Sequence, residues 1–153
     1  MLQPESIAPP FTLADLDNSP HSLAEMLARS PVVLVFFKIS CPVCQMTLPF
    51  LDRIAAGSFQ IVAISQDDAA STRRFHSKFG VALPTLLDRE AEHYPVSNAF
   101  GIAHVPSLFL VEPGGAISFT SEGFVRSDVE ALGLRAGIAP FLQDEAVPAW
   151  KPG

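Results

Sequence analysis

The chain has 153 residues, 48% apolar and 17% charged, with ten Lys/Arg against 16 Asp/Glu and a net charge of −6. That length supports one domain able to bury about two thirds of its unfolded surface without staples. The acidic balance, with no basic block, excludes the electrostatic footprint of a nucleic-acid binder. The longest unbroken apolar run, Val32–Phe37, falls far short of the ~20 residues of a membrane span. Two cysteines, Cys41 and Cys44, are too few for a disulfide scaffold.

The N-terminus carries no basic region followed by an apolar stretch, so the expected location is cytoplasmic. The alternative is an extracytoplasmic, periplasmic protein whose export segment is missing. Pro9-Pro10 precede a short apolar run, Phe11-Thr12-Leu13, and a turn-rich stretch, Asp15–Pro20. Ser22 and Glu25 form a capping box that opens a short helix to about Ala28. Val32–Lys38 is a β-branched and aromatic run, the pattern of a strand buried on both faces. Cys41-Pro42-Val43-Cys44 follows, then a helix to about Ala56 closed by Gly57. Pro42 suits its first turn, and Pro49 inside it predicts a kink.

Gln60–Ser65 reads as a second buried strand, and Ser71–Phe79, stopped by Gly80, as a helix. Leu86-Leu87 suggests a short strand and Val96–Phe100 a short helix. Ser107–Val111 and Ala116–Ser121, joined through Gly114-Gly115, read as a β-hairpin. Ser127 or Asp128 is positioned to cap a final helix that runs to about Ala136 and ends at Gly137. The Pro-rich tail from about residue 144 is expected to fray, with Trp150 as a possible pin. No repeat or linker divides the chain, so residues 1–153 form one domain. The order βαβ, then ββα, implies an α/β fold with a mixed sheet covered by helices on both faces.

Two cysteines placed at random in such a chain fall three apart only about one time in a hundred. Here they also lie between a buried strand and a helix. A thiolate at a helix N-terminus meets unpaired N–H groups and the positive dipole end, which lowers its pKa. The first cysteine can then attack a disulfide, and the second, one turn on, can resolve the product. The competing readings are two buried, inert cysteines and a metal site completed by histidine. His21, His76, His93 and His104 are scattered and form no ligand-like pair, so no metal is expected.

Cys41-Pro42-Val43-Cys44 after a buried strand, with Val105-Pro106-Ser107 before another, resembles the thioredoxin-like fold. Ala8–Leu13 as an N-terminal extension, the central insertion from Asp67 to Ala99 and the Gly114-Gly115 hairpin narrow the resemblance. They are similar to the thiol-disulfide oxidoreductases of cytochrome c maturation, within the peroxiredoxin-like redoxin group. The resemblance covers roughly residues 7–140. It implies that Cys41 is the nucleophile, Cys44 the buried resolving thiol, and Pro106 a cis-proline beside them. Val105 would offer backbone N–H and C=O to an extended substrate, with Pro42 and Val43 bordering the same site. Asp67 matches a carboxylate that follows the second strand in these relatives and is a candidate for proton transfer. Asp68 is its neighbouring substitute, and the alternative is that both simply cap the next helix. The redox group would be the Cys41–Cys44 disulfide itself, with no further cofactor. Protein thiols or disulfides would be the substrates, a separate redox partner would complete the cycle, and the chain would be a monomer.

Some positions depart from the thioredoxin pattern. Ser40 stands where Trp usually precedes the first cysteine, and Val35 replaces a buried Asp. Lys38 could stabilise a Cys41 thiolate by its charge, although a solvated strand end suits it equally. His104 either borders the site or simply packs at the surface. A peroxiredoxin would place Thr three and Pro seven residues before its reactive cysteine. Counting back gives Lys38 and Leu34 from Cys41, or Cys41 and Phe37 from Cys44, so both counts fail. Arg126-Ser127-Asp128 is similar to a peroxiredoxin segment and keeps that thiol-peroxidase rival open. The non-enzymatic rival is a thioredoxin-like module that holds a metal or a partner protein.

Overall fold

The computed structural model describes all 153 residues. It opens with a small antiparallel hairpin, β1 (Thr12–Ala14) and β2 (Pro20–Ser22). Asp15 shapes its turn by accepting the N–H groups of Asp17 at 2.8 Å and Ser19 at 3.0 Å. The capping box holds: Ser22 Oγ accepts the Glu25 N–H at 3.1 Å and starts α1 (Leu23–Leu27).

Next come β3 (Val32–Phe37), α2 (Pro42–Arg53), β4 (Gln60–Ser65), α3 (Ala69–Phe79) and β5 (Thr85–Leu87). A 3₁₀ turn at Glu90–Glu92 leads to α4 (Pro95–Ala99), β6 (Ser107–Val111) and β7 (Ile117–Glu122). The chain finishes with β8 (Phe124–Val125), α5 (Arg126–Ala136) and β9 (Trp150–Lys151). The central sheet has five strands in the order β5-β4-β3-β6-β7. The pairs β3/β4 and β4/β5 are parallel, whereas β3/β6 and β6/β7 are antiparallel. This is the mixed sheet that the element order implies.

All six residues of β3 are fully buried, and successive side chains of a strand point to opposite faces. Val33, Val35 and Phe37 join one apolar cluster with residues of α2, α3 and α5. Val32, Leu34 and Phe36 join the other, which takes in α1 and α4. Helices therefore cover both faces, and the uninterrupted apolar run is the signature of a strand between two cores. On the second face, Phe36 meets Phe100 and Phe109 at ring-centroid distances of 5.3 and 5.8 Å, and those two stand 5.0 Å apart.

Three expectations need correction. Neither Ser127 nor Asp128 caps the final helix: α5 starts at Arg126, and Asp128 Oδ2 accepts the Ser121 hydroxyl at 2.6 Å. The tail from residue 144 is docked, because β9 pairs antiparallel with β8. Trp150 is not its pin, since that side chain is 60% exposed and the contacts are made by backbone and by Arg53 and Arg126. The helix α2 continues past Pro49 to Arg53.

Candidate active site

The sheet topology decides what meets at the cysteine pair. Because β6 runs antiparallel to β3 with Ser107 opposite Phe36, the residues just before β6 lie beside the carboxyl end of β3. The loop after β3 carries Cys41, so it emerges next to Val105-Pro106. The Val105–Pro106 peptide bond is cis, as the resemblance implies.

Cys41 is the N-cap of α2, with Pro42 in the first turn. Its Sγ accepts the Cys44 backbone N–H at 3.1 Å and lies 3.5 Å from the Val105 carbonyl oxygen. Both cysteines are free thiols; Cys41 is half-buried and Cys44 fully buried. The hydrogen bond from the Cys44 thiol, followed by the backbone N–H groups of Cys44 and Val43 and the Lys38 charge, pulls the Cys41 thiol down to about 6. Burial pushes the Cys44 thiol far up, reinforced by its bond to Cys41 and by the nearby Cys41 and Asp67 charges. One sulfur is thus ready as a thiolate near neutrality while the other keeps its proton.

This asymmetry has a direct readout. Alkylation of reduced protein by iodoacetamide should rise with pH along a curve whose midpoint is near 6. Its slope should report Cys41 alone, because lowering the pH through that midpoint protonates the only reactive thiolate. Cys44→Ala removes the leading stabilising bond and should move the midpoint up towards the ordinary cysteine value of about 8.5. A midpoint at that ordinary value in the unmodified protein would contradict the geometry.

The two aspartates after β4 divide their tasks. Asp68 caps α3, accepting the Ser71 N–H at 2.7 Å. Asp67 instead reaches across to the cysteine loop, where its Oδ2 accepts the Ile39 N–H at 2.8 Å. Gln45 Nε2 donates to the Ile39 carbonyl at 3.0 Å, so both backbone groups of Ile39 are held. Asp67 Oδ1 accepts no hydrogen bond from the protein. Val35, in the place of a buried acid, is fully buried in the same apolar cluster as Cys44.

Val105 lies between the pair and a hollow of about 210 Å³ lined by Lys38, Gln66, Tyr94, Ser97 and His104. Its N–H donates to no protein group. Lys38 is exposed, with its Nζ 5.8 Å from the Tyr94 ring centroid, so it is both a solvated strand end and a minor contributor to the Cys41 thiolate. His104 is exposed at the same rim. Arg126 bonds Glu130 at 2.9 Å and the Val147 carbonyl. No group of three or more His, Cys, Asp or Glu is placed to hold a metal ion, and no helix is long and apolar enough to cross a membrane.

Sequence reading missed Asp88, which is 1% exposed. Its carboxylate accepts the N–H groups of Val96 at 3.1 Å and Ser97 at 2.6 Å, and the Ser97 hydroxyl at 2.6 Å. Gln66 Nε2 in turn donates to Ser97 Oγ at 2.9 Å. The only local signal was an acid seven residues before a helix start.

Residues 4–120 match the family model described as AhpC/TSA. The chain belongs to the AhpC/TSA family. Among relatives of this AhpC/TSA member, the thiol-disulfide oxidoreductase ResA of Geobacillus thermodenitrificans is 26% identical over 117 residues. That match covers 73% of this chain and 65% of the relative, just under two thirds of its length. The thioredoxin domain of a Bacteroides vulgatus thiol-disulfide oxidoreductase superposes with a TM-score of 0.75 at 21% identity, covering 86% of this chain and 95% of that one. A secreted Mycobacterium tuberculosis disulfide oxidoreductase gives a TM-score of 0.69 at 22% identity, covering 83% and 94%. The fold of this AhpC/TSA member is therefore thioredoxin-like.

Proposed function

We propose that this chain is a thiol-disulfide oxidoreductase that exchanges a dithiol for a disulfide with protein substrates. The observation that carries the reading is the pairing of a half-exposed Cys41 Sγ at a helix N-cap with a buried Cys44 thiol behind it. In the reducing direction, the Cys41 thiolate attacks a substrate disulfide; a mixed disulfide forms and one substrate thiolate leaves. Cys44 then gives up its proton and attacks Cys41 Sγ. The Cys41–Cys44 disulfide forms, the second substrate thiolate leaves, and two electrons have passed to the substrate. A separate dithiol partner restores the pair, and oxidation of substrate thiols is the same sequence reversed. The chemistry needs no group beyond the two sulfurs, and each chain carries a whole site, so a monomer suffices.

Val105 supplies the docking edge: its free N–H and its carbonyl can pair with an extended substrate segment. Pro106 shapes that edge beside Cys41, and Pro42 and Val43 form the opposite rim. Ile39, Val43 and Met46, on the cysteine loop and the first turns of α2, and Val105 are half-buried apolar side chains, which suits a protein surface. Asp67 is the proton acceptor for Cys44, because its Oδ1 is free and its charge acts on that thiol. Asp67→Asn can keep the bond to the Ile39 N–H while removing the base. Turnover should fall by about a hundredfold, with the rate-limiting step moving to resolution and its pH dependence flattened. An unaltered pH profile and rate would leave Asp67 as a loop clamp alone.

The test of the function is dithiothreitol-driven reduction of insulin disulfides, set against consumption of hydrogen peroxide. Insulin reduction well above the uncatalysed rate, with negligible peroxide turnover, is expected. The reverse result would favour a peroxidase, against which stand Lys38 and Leu34 at the motif positions and the engagement of Arg126 with Glu130. One tightly held metal ion per chain with no insulin reduction would favour the binding module. For location, the reading takes the extracytoplasmic alternative over the cytoplasmic one. Its support is that a neighbour of the same fold is a secreted disulfide oxidoreductase. Fractionation of cells expressing the gene checks it.

A further inference from the structure

The docked tail reaches the proposed docking edge at Gly153. Gly123 bridges the two, donating its N–H to the Pro106 carbonyl at 2.8 Å. Gly123 has φ +74°, and a Cβ there would stand 2.6 Å from the Lys151 carbonyl oxygen and 3.1 Å from the Gly153 nitrogen. Gly153 in turn lies directly against the Val105 carbonyl, so closely that a Cβ on it would collide with that oxygen. Only glycine permits both approaches. The tail thus covers the carbonyl of Val105 while leaving its N–H open.

The base of the tail is firmly held. Arg53 forms two bonds to the Glu145 carboxylate, at 2.6 and 2.9 Å, and a third to the Pro140 carbonyl at 2.9 Å. The Phe141 ring packs edge-on against Phe50 with centroids 4.8 Å apart. The Arg126 backbone N–H donates to the Ala149 carbonyl at 3.0 Å, and its guanidinium to that of Val147 at 3.4 Å. The tip is held differently. Trp150, Lys151, Pro152 and Gly153 are all exposed, and a two-residue ladder with β8 is their main tie. Segments with few buried contacts open at low free energy while their anchors stay closed.

We propose that Trp150–Gly153 is a specificity element of the redox site, a displaceable tip that competes with the substrate backbone for the carbonyl of Val105. This rests on the oxidoreductase reading and on Val105 as its docking edge. A protein substrate that pairs with both backbone groups of Val105 must lift the tip. A small disulfide that reaches Cys41 without backbone pairing need not. The tip therefore slows protein disulfides selectively and leaves the sulfur's own reactivity untouched.

Two variants test this: deletion of residues 150–153, and Gly153→Val, whose side chain cannot occupy the present contact. Each is assayed for kcat/KM with insulin and for the rate of Cys41 oxidation by glutathione disulfide. Loss of one or two backbone-scale ties predicts about a fivefold rise with insulin and less than about a twofold change with glutathione disulfide. Insulin reduction that is unchanged or slower in both variants overturns the proposal, as does equal acceleration of both substrates. If neither the full chain nor the variants reduce insulin, the oxidoreductase reading fails and the specificity element falls with it. A full chain that reduces insulin at a rate indifferent to the tip defeats the specificity element alone.

Discussion

Cys41→Ser should abolish insulin reduction, whereas Cys44→Ser should accept the first attack and stop there, carrying the substrate as a mixed disulfide. The difference follows from where the two sulfurs sit. Cys41 is the half-exposed group, and its pKa of about 6 leaves it mostly thiolate at neutral pH. A serine hydroxyl in that place is not ionised, so at least about a thousandfold loss is expected. Cys44 is fully buried with its proton held, and a substrate sulfur reaches it only through Cys41. Serine at 44 can still donate to Cys41 Sγ, which preserves much of the thiolate's stabilisation, yet it cannot displace the substrate. Intact-protein mass spectrometry after one turnover distinguishes the two: an adduct of one substrate chain on Cys44→Ser and none on Cys41→Ser. An adduct on Cys41→Ser would reverse the assigned roles.

The second large effect is on stability. Asp88→Ala leaves the N–H groups of Val96 and Ser97 and the Ser97 hydroxyl without their acceptor, in a place that is 1% exposed. Hydrogen bonds to a buried charge are among the stronger contributions, and orphaned donors lose their solvation as well. About 3 kcal/mol of destabilisation is expected, or a fall in Tm of roughly 6–12 °C for a chain of this size. Calorimetry of the reduced protein measures it. A fall of under about 2 °C would mean that water replaces the carboxylate at little cost, contrary to its burial. Ser97 also holds Gln66, one wall of the hollow beside Val105, so insulin turnover should weaken in the folded variant while iodoacetamide reactivity of Cys41 stays close to normal.

Features set by local pattern were legible in the sequence. The six apolar residues of β3 announced a strand between two cores, Ser22 and Glu25 announced a cap, and the cysteine spacing at a strand-to-helix junction announced the chemistry. Val105-Pro106 was legible only through resemblance, because its approach to Cys41 depends on β6 running antiparallel to β3, a pairing between segments some 70 residues apart in the sequence. Asp67 was found, but its bond to Ile39 could not be, since nothing in the residues near 67 specifies a partner across the sheet end. The tail was misread for the same reason. Pro-rich composition predicts poor ordering on its own, and what holds residues 140–149 is a set of arginines from α2 and α5. Likewise Arg126, singled out in the sequence for its similarity to a peroxiredoxin segment, starts α5 and also ties down the tail.

A strand that is apolar on both faces has lost the usual guard against slipping, because a one-residue slide would exchange one greasy surface for another. In β3 the guard is shape. The Phe36 ring packs against the touching pair Phe100 and Phe109, and Phe37 on the opposite face meets Phe75 at 5.1 Å, so the two faces cannot trade places without a misfit. A slide would also carry Cys41 about 3.3 Å past Val105, more than enough to part the sulfur from the carbonyl it now adjoins. These aromatic rings, none of them part of the cysteine loop, therefore set the alignment that brings Cys41 to Val105.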